Sequence, residues 1–432
     1  MVADLVLVAL FAVFLALGIP VAFCIGIATL AALALSLDFL PAITTIAQRM
    51  ASGLNSFALL AIPLFIISGV IMAESSIARR LIRFARCLIG MVPGGLAFVN
   101  VLSSALFGSI AGSAVAANTA VGGVMVPEME KHGYGRDFAA AITATGSTVG
   151  LLIPPSNILI VYAIASGGVS IAALFVGGYL PGLLVSLMLM IVCAWHAKRS
   201  GLPAMGRPSS GEVLQAGLAA LPGLGLVFVV MGGILGGLFT ATEAGAIAVI
   251  YSLALSAFAY RDVGLKDLYP ILRRSAETTA IVMFLIATSV AMSWVLAYRN
   301  IPADVSGFLL EISDNPVVLL LIINLVLLAV GAFMDMTPAV LIFTPILLPV
   351  ALDLGMSPLH FGIMMVLNLS IGLCTPPVGT ILFLSCAVAK TTISRMIRPL
   401  IPMYAAMTVA LLLVTYVPAL SEWLPLALGQ ME

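Results

Sequence analysis

Charge is scarce in this chain: Asp, Glu, Lys and Arg make up 8% of its 432 residues, against 62% hydrophobic. A soluble globule needs far more polar surface, so this composition and a mean hydropathy of +1.23 leave an integral membrane protein in contact with the lipid bilayer. Acids and bases balance at 18 each, which gives no basic excess for nucleic acid. Cys24, Cys87, Cys193, Cys374 and Cys386 lack pairing or metal spacing, and His132, His196 and His360 are not clustered, so neither disulfide staples nor a metal or proton-relay centre is indicated. No G-x-x-x-x-G-K-[ST], H-E-x-x-H or G-x-S-x-G occurs; nucleotide hydrolysis and the corresponding protease and hydrolase chemistries lack their motifs, and the chain does not read as an enzyme. Asp4 and no basic residue precede the first apolar run, so the N-terminus reads as a membrane span and not as a cleavable signal.

What the chain does have is proline where a membrane helix cannot easily hold it. Pro154-Pro155 and Pro376-Pro377 sit inside long apolar runs, each after a glycine, Gly150 or Gly372. Proline removes a backbone donor and clashes with the preceding turn, and lipid offers no partner for the freed carbonyls. Such breaks survive where they line a cavity, and one in each half of the chain points to a secondary transporter with its sites at the interface of two repeats. Pro127 and Pro349, Gly133 and Gly355, and both Pro-Pro pairs share an offset of 222, the difference between 349 and 127. Further upstream Gly18 and Gly237, Gly26 and Gly245, and Phe65 and Phe284 share an offset of 219, the difference between 237 and 18, which implies one short insertion.

Basic residues set a topology. Arg79 to Arg86, Lys131 and Arg136, Lys198 to Arg207, Arg261 to Arg274 and Lys390 to Arg398 belong in the cytoplasm, whereas 166–170, Asp353, Glu422 and Glu432 belong outside. These constraints thread only if two segments enter and leave on one side, as re-entrant hairpins with tips near Gly112-Ser113 and Asp335-Met336-Thr337. The expected fold is therefore an all-α polytopic membrane protein of two inverted repeats, each about five spans plus a hairpin. The first repeat is placed at 1–197, with a hairpin near 95–127 and a broken helix near 136–166. A cytoplasmic linker follows at 198–212, and the second repeat occupies 213–432, with a hairpin near 315–350 and a broken helix near 358–389. The more polar stretches 41–56 and 261–275 read as amphipathic helices lying on the membrane surface.

Asp335 is the sharpest single residue, an acid amid apolar sequence that marks a functional site or, alternatively, caps the second hairpin helix. Glu243 follows Thr240 at capping-box spacing and reads as structural. Hydroxyls and glycines cluster at the tips and breaks: Ser109, Gly112 and Ser113, then Thr145 to Thr148, and Thr337 and Thr375 in the other half. Unwound carbonyls and hydroxyls suit sodium, a hard cation, while helix N-termini at the tips offer positive dipole ends to a carboxylate. For the substrate, the expected contacts are Ser113, Ser147, Pro154, Pro155, Thr337, Pro376 and Pro377.

The segments Ala61-Ile62-Pro63-Leu64-Phe65, Phe107-Gly108-Ser109-Ile110-Ala111-Gly112-Ser113-Ala114, 146–157, Phe175 to Gly182 and 372–379 together resemble the DctM-like large membrane subunit of tripartite ATP-independent periplasmic (TRAP) transporters, nearly end to end. The resemblance implies sodium-coupled import of a carboxylate compound, such as a C4-dicarboxylate or a sialic acid, across the bacterial inner membrane. It implies no cofactor beyond the coupling sodium. It further implies two partners, a small membrane subunit encoded separately and a periplasmic substrate-binding protein, and an elevator in which a transport domain holding both hairpins and both Pro-Pro segments moves against a scaffold. Sodium ligands carried over from the family fall at Ser109, Gly112, Gly146 and Gly150 in one half, and at Gly331, Asp335, Gly372 and Thr375 in the other. The alternative is a stand-alone sodium/carboxylate symporter of similar design.

Overall fold

The computed structural model describes residues 2–202 and 204–431. Pro203 of the expected linker and Glu432, used to place the chain end, lie outside the described residues. Apolar sequence at this density forms helix because a helix satisfies its own backbone where water is absent. Twenty α-helices follow one another among the described residues, and the sole strand-like pairing is one bridge between Pro93 and Ala204. The first ten are α1 (Val2–Ala16), α2 (Val21–Ala34), α3 (Phe39–Leu54), α4 (Ala61–Glu74), α5 (Ile77–Ile89), α6 (Gly95–Ala111), α7 (Ala114–Lys131), α8 (Arg136–Val149), α9 (Asn157–Ala165) and α10 (Ile171–Ser200). The rest are α11 (Ser210–Leu235), α12 (Ala241–Ala254), α13 (Leu265–Tyr298), α14 (Ile301–Ile312), α15 (Pro316–Phe333), α16 (Met336–Asp353), α17 (Pro358–Gly372), α18 (Thr380–Ala389), α19 (Ile393–Tyr416) and α20 (Ala419–Ala427). Among the described residues, eight helical segments are long and apolar enough to cross a bilayer by themselves.

Local chemistry sets the helix ends that matter. Helix α6 stops at Gly112, which is left-handed (φ +60°), and α7 starts at once because the Ser113 hydroxyl accepts the Ala116 N–H at 3.3 Å. The pair forms a hairpin with a tip of two residues. Its counterpart, α15 and α16, turns at Met334 and Asp335. A helix ends at Val149 and another begins at Asn157, with a cis Pro154-Pro155 bond between; likewise α17 ends at Gly372 and α18 begins at Thr380, around a cis Pro376-Pro377 bond. Ser209 and Glu212 form a reciprocal capping box that starts α11, and Thr240 and Glu243 do the same for α12.

Two details differ from the sequence reading. The irregular linker is shorter than 198–212, since α10 continues to Ser200 before a left-handed Gly201, and the Ser209 capping box draws Glu212 into α11. Residues 265–275 do not form a separate surface helix; they are the start of α13, which runs unbroken for 34 residues despite Pro270. At 1.5 Å per residue α13 is about 51 Å long, well beyond the roughly 30 Å hydrocarbon core, so its polar first turns project past the apolar layer.

The two helices before the breaks sit at the centre. Every residue of α8 from Phe138 to Val149 and of α17 from Leu359 to Gly372 is buried. Helix α8 is enclosed by α6, α7, α18 and α19, and α17 by α15, α16, α10 and α19. Beside this group α4 packs on α12 and on α13, and α13 packs on α2, so that α4 and α13 form the wall that the hairpin tips face.

Candidate functional site

A cavity of about 700 Å³ is lined by the two hairpin tips and by α4 and α13. Four helices begin on it: α7 with Ser113 and Ala114, α9 with Asn157 and Ile158, α16 with Asp335 and Met336, and α18 with Thr380 and Ile381. The N-terminal turn of a helix carries about half a positive charge, so four macrodipoles begin at one space. At α18 the Ile381 and Leu382 N–H groups are already taken by Leu373 O, at 3.1 and 3.4 Å, and at α7 the Ala116 N–H is taken by Ser113 Oγ. The C-terminal ends of α6, α8 and α17 approach the same space through Ala111, Leu151 and Leu373. Carbonyl ends and amide ends thus meet where broken helices converge. That is a geometry for an anion and a hard cation side by side.

The expected site residues divide sharply. Gly112, Ser113, Asp335 and Thr337 line the cavity. The others stand behind or beside it: Ser109, Gly146, Ser147, Gly150, Pro154, Pro155, Gly331 and Gly372 are buried in the packing, and Thr375, Pro376 and Pro377 lie on the α17 to α18 connection outside its wall. Three of the hydroxyls bond the turn before them. Ser109 Oγ donates to Leu106 O at 2.9 Å, Ser147 Oγ to Ala144 O at 2.8 Å, and Thr375 Oγ1 to Ile371 O at 2.8 Å. Asp335 occupies the N-cap position of α16, yet its carboxylate makes no cap bond there; Oδ1 accepts from Thr380 Oγ1 at 3.5 Å across the cavity edge.

Glycine explains the rest of the expected set sterically. A Cβ on Gly150 would fall within 2.6 Å of Gly108 C, and one on Gly372 within 2.6 Å of Gly331 C, so in each half the hairpin and the helix before the break touch backbone to backbone. On the other side of the cavity Gly69 of α4 meets the Ala111 carbonyl at the end of α6, where no side chain would fit. The α17 to α18 connection is docked on the second hairpin, because the N–H groups of Val378 and Gly379 both donate to Ala332 O, at 3.1 and 3.4 Å.

Several residues that matter here were not singled out from sequence. Buried carboxamides stitch hairpins to broken helices: Asn100 Nδ2 donates to Thr143 Oγ1 at 2.7 Å, Asn118 Nδ2 to Ser385 Oγ at 2.5 Å, and Asn368 Nδ2 to Asn324 Oδ1 at 2.8 Å. Each joins two different helices, and their signal in the sequence was the one that drew attention to Asp335, a polar side chain in an apolar run. Asn157 packs against Gly112, whose Cβ position lies 3.1 Å from Nδ2. Glu74, Arg274 and Glu277 form the charged rim of the cavity. A second cavity of about 570 Å³ lies at the other end of α9, between the α9 to α10 connection, the turn before α4 and the α11 to α12 connection.

Residues 8–420 match the family described as "Tripartite ATP-independent periplasmic transporter, DctM component". The chain is 50% identical to the protein YgiK of Salmonella typhimurium over 98% of its own length and 97% of that protein. It is 41% identical to the C4-dicarboxylate TRAP transporter large permease protein DctM of Pseudomonas aeruginosa, over 90% of each. Among solved structures, the YdaH transporter of Alcanivorax borkumensis superposes with a TM-score of 0.66 over 95% of this chain and 97% of that one; at 16% identity, the likeness is one of fold.

Proposed function

Since the chain belongs to the DctM component family of TRAP transporters, multi-pass permeases of the bacterial inner membrane and not enzymes, we propose that it imports a carboxylate-bearing small molecule in exchange for the free energy of a sodium gradient. The observation that carries this reading is the convergence of four helix N-termini on one cavity. A carboxylate there is held by N–H groups and dipoles without a buried lysine or arginine beside it. The substrate class is a C4-dicarboxylate or a sialic-acid-like compound. Ser113 and Thr337, the hydroxyls at the two tips, are the side chains that reach it directly.

Sodium is assigned to the carbonyl ends of α6, α8 and α17 and, in the second half, to the Asp335 carboxylate. Ser109, Gly146, Gly150, Gly331, Gly372 and Thr375 serve this site through their backbone and by letting the helices meet closely. The hairpins, the broken helices and the asparagine bonds between them form one transport body, which moves past α4 and α13 as an elevator. Gly69 keeps the sliding contact with Ala111 free of a side chain. The two cavities are the inner and outer vestibules of that movement, with the Arg274 end facing the cytoplasm. A periplasmic binding protein delivers the substrate, and a small membrane subunit braces the scaffold.

Reconstitution tests the reading. The chain with its small subunit in liposomes should accumulate substrate only when loaded binding protein and an inward sodium gradient are both present. Uptake driven equally by a proton gradient would reject sodium coupling. Uptake of free substrate at full rate would favour the stand-alone symporter.

A further inference from the structure

We propose that Arg274 forms an anion site at the mouth of the larger cavity, occupied in turn by the carboxylate of Glu74 and by the carboxylate of a substrate passing through. The inference rests on the reading that the substrate is an anion. Arg274 is the one basic residue among the described residues lining the cavity, which otherwise carries the acids Glu74, Glu277 and Asp335. An anion leaving the helix N-termini must therefore pass a rim that would repel it without Arg274. The rim faces the tips from the α4 and α13 wall, whose remaining lining is largely apolar, with Ile62, Ile66, Val70 and Val282.

Arg274 already holds a carboxylate. Its Nη1 is paired with Glu74 Oε1 across from α13 to α4, and among the described residues its other N–H groups make no further hydrogen bond. A guanidinium has five donors in a fork that fits a carboxylate, so the present contact leaves most of that capacity open. Glu277, the nearer acid along α13, is paired with Arg273 at 2.8 Å, so Glu74 is the acid that holds Arg274. The two partners are 66% and 45% exposed, and exposed ion pairs of this kind are weak enough to open. Glu74 thus acts as a tethered competitor: it neutralises Arg274 between passages and keeps the site's affinity low, so that the substrate is released.

The test reads anion occupancy directly in the purified full chain in nanodiscs. Thr278→Cys places a thiol on the cavity one helical turn, about 6 Å, from Arg274; Cys87→Ser removes the one native cysteine that is not buried. The rate of modification by an anionic methanethiosulfonate, divided by that of a neutral one, cancels accessibility. Arg274→Gln should lower this ratio about threefold, the effect of one charge at that distance in water. Succinate, added against chloride at equal ionic strength, should depress the ratio at millimolar concentration. Glu74→Gln should lower the concentration required about tenfold by removing the tethered rival, Arg274→Lys should keep part of the effect, and Arg274→Gln should abolish it. Succinate protection that survives Arg274→Gln, or that is absent or unshifted in Glu74→Gln, would overturn the proposal. No transport is needed for this readout, so failed carboxylate import beside an intact succinate effect would count against the import reading alone.

Discussion

Gly146 of α8 and Gly150, which caps that helix, lie one turn apart and both belong to the sodium set carried over from the family, yet the structure gives them opposite responses to one methyl group. A Cβ on Gly146 would sit 3.5 Å from Ser104 Cβ and from Val101 Cα, ordinary van der Waals contact. Gly146→Ala should therefore stabilise the chain by about 0.4–1 kcal/mol, through lost entropy of the unfolded chain. Gly150 has helical φ and ψ (−63°, −14°), so alanine meets no backbone strain there. Its Cβ, however, would lie 2.6 Å from Gly108 C and 3.0 Å from Ser109 N, and backbone cannot swing aside as a side chain can. Helix α6 would have to retreat by about 1 Å, at an overpacking cost of about 1–3 kcal/mol. The two variants should differ by about 1.4–4 kcal/mol, which for a chain of 432 residues corresponds to roughly 2–4 °C in melting temperature. The assay is thermal unfolding of the purified proteins in one detergent, with sodium half-saturation of transport measured beside it. Gly146→Ala keeps its carbonyl and should keep its sodium dependence. A Gly150→Ala protein as stable as Gly146→Ala would refute the steric argument and the close approach of the two helices.

Asp335→Asn should express and melt like the parent, because the carboxylate makes no cap bond to lose, but should raise the sodium needed for half-maximal transport about tenfold or more, the worth of one charge-assisted contact. Unchanged sodium dependence would make Asp335 structural. Asn368→Leu removes the 2.8 Å bond to Asn324 and should cost about 1 kcal/mol of thermal stability, and a protein that melts at the parent temperature would show that this tie contributes nothing. Single cysteines at Gly167 and Asp353 should react with an impermeant reagent added outside intact cells, and one at Arg207 should not; outside labelling of the Arg207 position would contradict the topology.

Proline and the caps were legible in the sequence because their effects are local. Nothing beyond a few turns decides that a helix stops before Pro154-Pro155, that Ser113 starts α7, or that Thr240 and Glu243 close a capping box. The continuity of α13 was hidden, since polarity at 265–275 reports the environment of those turns and not whether the helix bends between them. Which hydroxyls face the cavity was hidden too. Ser109, Ser147 and Thr375 look equivalent to Ser113 and Thr337 in a list of residues, and only packing turns the former toward their own helices. Arg274 was absorbed into a cytoplasmic basic cluster, where it helps set topology, while its place on the cavity depends on α4 lying beside α13. The glycines were recognised as important for their carbonyls, and the structure adds a different reason, the contact of backbone with backbone at Gly108 and Gly150 and at Gly331 and Gly372.

In an elevator the hairpin tips move across the membrane while α4 stays in place. Two cysteines on the same cavity test it, one at Val115 beside the first tip and one at Ala73 on α4. At rest both should react with an impermeant thiol reagent from the cytoplasmic side alone. During turnover with sodium, substrate and binding protein, the Val115 position should also become reactive from the periplasm, whereas the Ala73 position should not. Val115 remaining silent from outside during measured uptake, or Ala73 becoming reactive there as well, would contradict the elevator.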